Sequence, residues 1–277
     1  ILTIDRMQIQ FLGESIHGVR EFTRYRHSWL EQHAGDGTVV VFEADRVGLL
    51  HSVQNHEDAV AMLQNFPRVQ RTREMAGLLG CLLDRGIPVY GADVVTRNSR
   101  AIFSGHLADL RRQQVEDEER IYSSPDCFTL RDAYMADAFA DLVARFPEHR
   151  FVGLFHNLHI KRQGSLEIET LRLQSVAQNL CEKHGLSVHA TALLARQGSA
   201  FHNNLESFNF LIDDVEAIEN LEHNVQGPLL IPDLERVGEK VAYHHAFERE
   251  TLPVRDQYDA CIIFPEVTPP HLIPEAL

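Results

Sequence analysis

FLGESIHGVRE, residues 11–21, is the stretch on which the expected fold depends. An apolar run over 9–12 ends in a glycine and is followed by Glu14 and His17. This pattern is typical of a buried strand leaving a sheet, and apolar residues at helical spacing then predict a helix over 19–33. Ligands of open α/β sheets bind outside the carboxyl ends of the strands, so both side chains are candidate site residues. The alternatives are a helix cap for the glutamate and a hydrogen-bonded core histidine.

The composition describes an ordinary globular chain with an excess of acidic residues. Its 277 residues can bury a sizeable core, and 44% hydrophobic with 24% charged residues is usual for such proteins. There are 26 basic and 40 acidic residues, which gives a net charge of −14. This charge argues against nucleic acid or an anionic membrane surface as a partner. A local basic pocket could still bind an anionic group, and no oligomeric state is indicated.

The cysteines and the hydropathy pattern indicate a cellular location. Four cysteines stand far apart without a CxxC pair, at positions Cys81, Cys127, Cys181 and Cys261. The first and last lie in apolar runs, so we expect buried free thiols in a reducing compartment. No stretch approaches the length of a transmembrane helix, and we expect no signal sequence. A cytoplasmic protein is therefore the expectation.

Apolar runs alternate with helical periodicity along most of the chain. Strands are predicted at 9–12, 38–45, 87–93, 150–160, 187–195, 208–213, 240–245 and 258–267. Helices are predicted at 19–33, 71–85, 96–120, 129–146 and 166–184, with only short helical pieces near 57–64 in an irregular segment 46–72. We predict an α/β fold with a mainly parallel central sheet flanked by helices. The simplest organisation is one domain, 1–277, with helical excursions over about 46–80 and 97–148.

Four successive predicted strands end in side chains that can carry out chemistry. They are Glu14 with His17, Glu43, Asp93, and His156 with His159. If the strands are parallel, these ends meet at one edge of the sheet and gather three carboxylates and three histidines. Helix caps could explain one or two of the acids, but hardly all of them.

Three chemistries fit such a cluster. A histidine could act as a general base on water, oriented by a carboxylate, while other groups stabilise the developing oxyanion. Histidines and carboxylates could instead hold a divalent metal that activates the water, with His17, His156, His159 and an acid as ligands. A histidine could also hold haem or iron in a binding protein.

Covalent catalysis is less well supported by the sequence, and two arginines are candidate members of the site. There is no GxSxG, P-loop or GxGxxG motif, and Ser15 lacks the glycine that a nucleophile elbow requires. Arg26, on the first predicted helix, and Arg131, in TLRDAYMAD, could stabilise negative charge on an intermediate or bind a carboxylate. The alternative for each arginine is a surface salt bridge.

With these residues in view, the chain resembles the erythromycin esterase family. The matching segments occur in the family's order: FLGESIHGVREFTRYRH (11–27), VVVFEAD (39–45), PVYGAD (88–93), LRDAYMAD (130–137), LFHNLHI (154–160) and YDACIIFPEVTP (258–269). The resemblance implies that a histidine-activated water hydrolyses a carboxylic ester or lactone without a covalent acyl-enzyme and without a metal. It implies a small-molecule substrate.

The resemblance also implies roles for individual residues. His17 would be the general base and Glu14 its partner, with Glu43 as a second acid and Arg26 as electrostatic support. His156 and His159 would polarise the carbonyl or protonate the leaving oxygen. Arg131 and Asp93 match family positions and would have substrate-binding or supporting parts.

The chain departs from the macrolide-inactivating members of this family in one respect. Its segment between GESIHG and HNLHI is much shorter, so a reduced helical lobe over the carboxyl edge is expected. This puts macrolide specificity in doubt. Family-like members also occur beside natural-product pathways, where another reaction at an acyl or amide carbon could replace hydrolysis. A related ChaN-like branch binds haem, which keeps the binding-protein hypothesis open.

Overall fold

The computed structural model describes residues 9–168, 170–221, 227–246 and 248–277. Within these ranges the strands are β1 Ile9–Leu12, β2 Thr38–Asp45, β3 Val89–Asp93, β4 Arg150–Leu154, β5 Val188–Ala195, β6 Gln197–Phe201, β7 Ser207–Leu211, β8 Leu229–Ile231, β9 Tyr243–His244, β10 Glu248–Arg249 and β11 Ala260–Phe264. The α-helices are α1 Arg20–His33, α2 Arg46–Gln54, α3 Ala59–Met62, α4 Arg73–Asp84, α5 Gly105–Tyr122, α6 Cys127–Arg145, α7 Val176–Glu182 and α8 Val254–Gln257. Short 3-10 turns occupy Leu63–Asn65, Arg68–Gln70, Asn157–Ile160, Gly164–Leu166, Ile218–Asn220, Leu234–Val237 and Pro274–Ala276.

In this described part of the chain, seven strands form one central sheet in the order β3-β2-β4-β1-β5-β11-β8. Neighbouring strands run parallel except β8, which pairs antiparallel with β11 at one edge. The pairs β6–β7 and β9–β10 lie outside the sheet. The predicted α/β fold with a mainly parallel sheet flanked by helices is confirmed.

The sheet has a hydrophobic core on each face, which explains its continuous apolar strands. In β2 every residue is buried; Val40 and Phe42 belong to one core while Val39 and Val41 belong to the other. Helices α1 and α4 pack on the first face, and α6 and α7 pack on the second. Parallel strands covered on both faces lose the polar alternation of a half-exposed strand. Each fully buried valine or leucine contributes about 1.5–3 kcal/mol.

Several predicted boundaries were wrong, chiefly in the helices. The segment read as irregular begins with α2, which Asp45 caps by accepting a bond of 2.9 Å from the Gly48 N–H. Helix α5 begins nine residues late, because Glu118 binds Thr96 through its N–H and hydroxyl and Asp45 binds the Arg97 N–H, which keeps 94–104 out of the helix. Helix α7 covers only part of the predicted 166–184, a range in which residue 169 lies outside the described residues.

The strand predictions were closer, with two changes that matter. Strand β4 ends at Leu154 rather than at 160, and the following residues form a 3-10 turn. Strands β6, β8 and β10 were not predicted, since each is exposed or only partly buried. All four cysteines are free thiols, with Cys261 buried as expected but Cys81 only partly so. No helix in the described ranges has the length and apolarity to cross a membrane.

Gly13 lies where the turn after β1 and the turn after β4 approach each other closely. An alanine Cβ there would stand 1.9 Å from Asn157 Oδ1 and 2.6 Å from Ile160 Cδ1, atoms of the turn after β4. We expect Gly13→Ala to lower the free energy of unfolding by about 1–3 kcal/mol, because this turn is packed against its neighbours. Urea unfolding measures the loss. Gly35→Ala is the matched control, since its Cβ would meet nothing within 4 Å. Equal midpoints for the two variants would contradict the close approach.

Candidate functional site

Strands β1 to β4 lie side by side in the sheet, so the residues that follow them meet at its carboxyl edge. The structure brings together there all the residues predicted from the sequence: Glu14, His17, Arg26, Glu43, Asp93, Arg131, His156 and His159. They form two connected groups. One is centred on the turn after β1, and the other on the ends of β2 and β3.

The first group is a buried glutamate with three donors. His17 Nδ1 lies 2.9 Å from Glu14 Oε1, and Gln70 donates to the same oxygen at 2.8 Å. Arg26 Nη1 lies 2.9 Å from Glu14 Oε2 and also donates to the carbonyls of Leu12 and Phe155. Arg26 is 1% exposed. It is therefore a buried ion-pair partner and not a surface salt bridge.

The partners of Glu14 keep it ionised. Burial alone would raise the pKa of this carboxyl, but the Arg26 guanidinium and the bond to His17 outweigh burial and lower the pKa below its ordinary value. The glutamate does not cap helix α1, whose N-cap residue Val19 forms no side-chain cap. An ionised carboxylate accepts the Nδ1–H of His17, which leaves the lone pair on Nε2. The side chain of His17 is 13% exposed.

The second group holds Glu43 by donors on both of its oxygens. Arg131 Nη2 donates to Oε1 at 2.8 Å, His159 Nε2 lies 3.2 Å from the same atom, and the His156 N–H donates to Oε2 at 3.0 Å. Burial alone would raise the pKa of Glu43, but His159 and then Arg131 lower it well below its ordinary value. Glu43 is thus an ionised acceptor. It does not have the proton that a second acid would need.

His159 lies between two carboxylates. Its Nδ1 lies 2.8 and 2.9 Å from the two oxygens of Asp132 on α6, and its Nε2 faces Glu43. Burial disfavours the charged ring, but Asp132 and Glu43 outweigh burial and raise the pKa of His159 to about 10. Both ring nitrogens carry protons bound to carboxylates. His159 therefore bridges the site internally, with no free nitrogen to polarise a carbonyl.

Arg131 joins the ends of β2 and β3. Besides Glu43 it binds Asp93 through two bonds of 2.8 Å, and Arg97 binds Asp93 Oδ2 at 3.0 Å. Burial alone would raise the pKa of Asp93, but Arg131 and Arg97 lower it. The side chain of Arg131 is 11% exposed, so Arg131 is a largely buried ion-pair partner and not a surface salt bridge. Its Nη1 forms no hydrogen bond with any of the described residues.

His156 is buried and neutral. The Leu158 N–H donates to its Nδ1 at 3.2 Å, so Nε2 carries the proton and donates to the Ser15 carbonyl at 3.1 Å. Burial, and then the His244 and His245 rings, hold the pKa of His156 well below its ordinary value. Its ring centroid lies 4.8 Å from that of His17. His156 thus fixes the turn that carries the first group.

Two histidines of this cleft were missed by the sequence reasoning. His244 ends β9 and His245 follows it, and their ring centroids lie 4.4 and 4.6 Å from that of His156. His245 has a φ of 51°, followed by a φ of 59° at Ala246, and its N–H donates to the Ser15 carbonyl. Positive φ at two successive residues other than glycine is a strain that functional sites often contain. The adjacent histidines in KVAYHH were the available signal. Gln70, Arg97 and Asp132 were missed as well.

Two cavities open beside His17, and both also contact Asn203. The aromatic cavity, of about 590 Å³, is lined by Ile16, Phe201, His202, Glu206, Phe208 and His245. The basic cavity, of about 370 Å³, is lined by Glu43, Arg68, Val95, Arg97, Tyr122 and Arg131. His17 lies on the wall that the two share.

A set of residues that could hold a metal also lies in the cleft. One ligand nitrogen each from His156, His244 and His245 falls within 4.8 Å of the others. Burial and neighbouring histidines hold the pKa of His244 well below its ordinary value. Desolvation lowers the pKa of His245 to about 4, although this residue is exposed. Neutral imidazoles are the form that binds metals. His159, predicted as a ligand, is excluded because carboxylates occupy both of its nitrogens.

Comparison with solved structures shows the fold class shared with this chain. A protein from Bacillus cereus superposes with a TM-score of 0.72 at 13% identity, covering 96% of this chain and 90% of that one. A succinoglycan biosynthesis protein gives 0.71 and 13%, with the same coverage. A histidine-to-asparagine mutant of the erythromycin esterase EreC, in its open conformation, gives 0.64 and 12%, covering 96% and 92%. No protein-family model and no curated protein matches the sequence. At these identities the likeness shows the fold alone.

The charge on His159 gives the stability a defined pH dependence. Its folded pKa, about 10, exceeds the ordinary 6.5, so its stabilising contribution is complete below pH 6.5 and is lost as the pH rises to 10. The difference in free energy of unfolding between wild type and His159→Gln should therefore be largest near pH 6 and shrink towards pH 10. Urea unfolding across this range measures it. If this difference in free energy of unfolding is the same at every pH, His159 is not charged in the folded protein. An NMR spectrum of the wild type that shows a neutral His159 ring at pH 8 would lead to the same conclusion.

Proposed function

We propose that this protein hydrolyses a carboxylic ester or lactone with a water molecule activated by His17. The observation that carries the proposal is the Glu14–His17 pair, since His17 lies on the wall that the two cavities share. Cavities of about 590 and 370 Å³ fit a small-molecule substrate. The four free thiols accord with a cytoplasmic location. The fold that the chain shares with the esterase EreC is consistent with a hydrolase.

In the first step His17 Nε2 takes a proton from water while the water oxygen attacks the ester carbonyl carbon. Glu14 accepts the Nδ1–H bond at 2.9 Å, which selects the reactive tautomer and stabilises the imidazolium that forms. Arg26 and Gln70 hold the carboxylate in place. A general base of this kind contributes about 10²–10⁴-fold to the rate.

The tetrahedral intermediate carries a negative oxygen that needs a donor in the cleft. Arg131 lines the basic cavity beside His17, and its Nη1 forms no bond among the described residues, so we assign oxyanion stabilisation to this group. Glu43 and Asp93 fix the guanidinium by three bonds of 2.8 Å. Such preorganised donors are worth about 10²–10³-fold.

In the last step the intermediate collapses, and the proton on His17 Nε2 passes to the leaving alkoxide oxygen. The ester bond breaks, the products are a carboxylic acid and an alcohol, and the ring returns to its neutral form. His156 and His159 take no part in proton transfer in this scheme, because each already uses both ring nitrogens. They position Ser15 and Glu43 instead.

Substitution of His17 tests this proposal. We expect His17→Gln to lower kcat/KM by about 10²–10⁴-fold on any ester or lactone that the wild type turns over in a panel of small substrates. His106→Gln, an exposed histidine on α5, is the matched control and should retain full activity. If kcat/KM falls less than tenfold in His17→Gln while the control is unchanged, His17 is not the general base.

A second candidate is a metal-dependent hydrolase with His156, His244 and His245 as ligands. The observation that favours it is a nitrogen of His244, Nδ1, which is buried without a hydrogen-bond partner in the described part of the chain. An unpaired buried nitrogen costs about 1–3 kcal/mol, and a metal would satisfy it. His156 would have to exchange one of its two hydrogen bonds for the metal. A fourth, water ligand would then lie in the cleft that His17 lines.

Direct metal binding tests this second candidate. If it holds, the protein should bind about one Co²⁺ per chain, with the d–d absorption of a tetrahedral site, and His244→Ala should weaken binding at least tenfold. His106→Gln again serves as the control. If titration shows no binding of Co²⁺ or Zn²⁺, and turnover is unchanged by a chelator, the protein is not a metal-dependent hydrolase.

A further inference from the structure

Resting on the proposed function, we infer that the substrate is an anionic ester whose carboxylate is bound by Arg68 and Arg97 in the basic cavity. The acyl or alcohol part that bears no charge would then lie along the aromatic cavity. His17 stands between them, where the scissile carbonyl must lie.

The charges around the basic cavity do not cancel. Three guanidinium groups line it, from Arg68, Arg97 and Arg131, and the carboxylates that form ion pairs with them in the described part of the chain are Glu43 and Asp93, since the nearby Asp45 is paired with Arg111. Three positive charges against two negative ones leave one positive charge, in a protein whose net charge is −14. A single uncompensated guanidinium matches a monoanionic carboxylate.

The excess charge is on Arg68. This residue forms no ion pair with any residue in the described ranges, and it is exposed at the mouth of the cavity. It begins the 3-10 turn Arg68–Gln70, whose last residue donates to Glu14 at 2.8 Å. The same turn therefore supports the catalytic carboxylate and presents a cation to the cavity. This places the charge close to the reacting centre.

Arg97 adds a fixed donor with spare capacity. Its Nη2 binds Asp93 and its backbone N–H binds Asp45 at 2.8 Å, so its position is set. Its Nε is buried and has no hydrogen-bond partner among the described residues. A buried N–H of this kind costs about 1–3 kcal/mol until an acceptor arrives. A substrate carboxylate would supply that acceptor.

The positive charges of Arg68 and Arg97 also act on Arg71. It is buried and donates to the carbonyls of Phe66, Gln64 and Ala276, with no carboxylate partner in the described part of the chain. Burial, and then the charges of Arg97 and Arg68, lower the pKa of Arg71. The field is strong enough to act on a further guanidinium, and it would act attractively on an anion.

The aromatic cavity has the opposite character. The charged residue on its wall is Glu206, which stands among Phe201 and Phe208. A carboxylate there would meet repulsion and apolar surface. The two cavities thus discriminate between the two ends of an anionic ester and fix its direction across His17.

A matched pair of esters tests the inference. We expect the wild type to cleave 4-nitrophenyl hemiglutarate at least about tenfold more efficiently, in kcat/KM, than 4-nitrophenyl valerate, since a charge-assisted bond contributes this much. Arg68→Gln should reduce the ratio of the two efficiencies about tenfold, and Arg68→Lys should keep most of it. Arg24→Gln, an exposed arginine on α1, makes the same change in net charge and should keep the full ratio. Equal efficiencies in the wild type, or a ratio unchanged in Arg68→Gln, would overturn the inference.

A binding measurement separates this inference from the proposed hydrolysis. Glutarate is titrated calorimetrically into the His17→Ala protein and into the same protein carrying Arg68→Gln. Binding by the first that is weakened at least about tenfold in the second supports the carboxylate site even if no ester is hydrolysed. If glutarate does not bind to the His17→Ala protein while the wild type hydrolyses neutral esters, the carboxylate site is overturned and the proposed hydrolysis is retained. Absence of both binding and turnover overturns both.

Discussion

The carboxyl edge of this sheet depends on pairing the buried carboxylates that end or follow its strands with arginines from the surrounding helices. Glu14 binds Arg26 of α1, Asp45 binds Arg111 of α5 through two bonds, and Glu43 and Asp93 share Arg131 of α6. Removing one partner of a buried pair typically costs about 3–5 kcal/mol, because the other charge is left unpaired. The pairs therefore fix where these helices lie against the edge. The cavity walls follow from that placement.

Pairing also distinguishes the three histidines at this edge from one another. His159 contacts two carboxylates and becomes a fixed cation, whereas His156 contacts a carbonyl, an N–H and other imidazoles and stays neutral. His17 contacts one carboxylate through Nδ1, and its Nε2 forms no hydrogen bond with a described residue. The three histidines thus differ in how many of their ring nitrogens are bound within the described part of the chain, because they differ in their neighbours. Proton transfer at this edge can occur at His17.

The strands and the site's location could be predicted from the sequence because parallel strands buried on both faces leave an unmistakable apolar run. In TVVVFEAD the predicted and observed strand coincide, and the carboxylates Glu43 and Asp45 come at its end. Helix α2 could not be predicted, since its cap is the last residue of that strand and its sequence lacks a clear apolar face. Helix α5 begins late because Glu118, from inside the helix, binds the preceding segment. Such contacts between distant residues are invisible to local periodicity.

The roles of the site residues could not be read from the sequence, for a related reason. From the sequence, a glutamate that follows a strand looks the same whether its histidine partner has one bound ring nitrogen, as with Glu14 and His17, or two, as with Glu43 and His159. The saturating groups come from α6 and from the turn after β4, far away in the chain. Among the described residues at this edge, hydrogen-bonding capacity is left on His17 Nε2, on the guanidiniums of the basic cavity and on His244 Nδ1. A base beside unsatisfied cations favours a reaction that moves a proton and develops negative charge, which is what water attack on an ester carbonyl does.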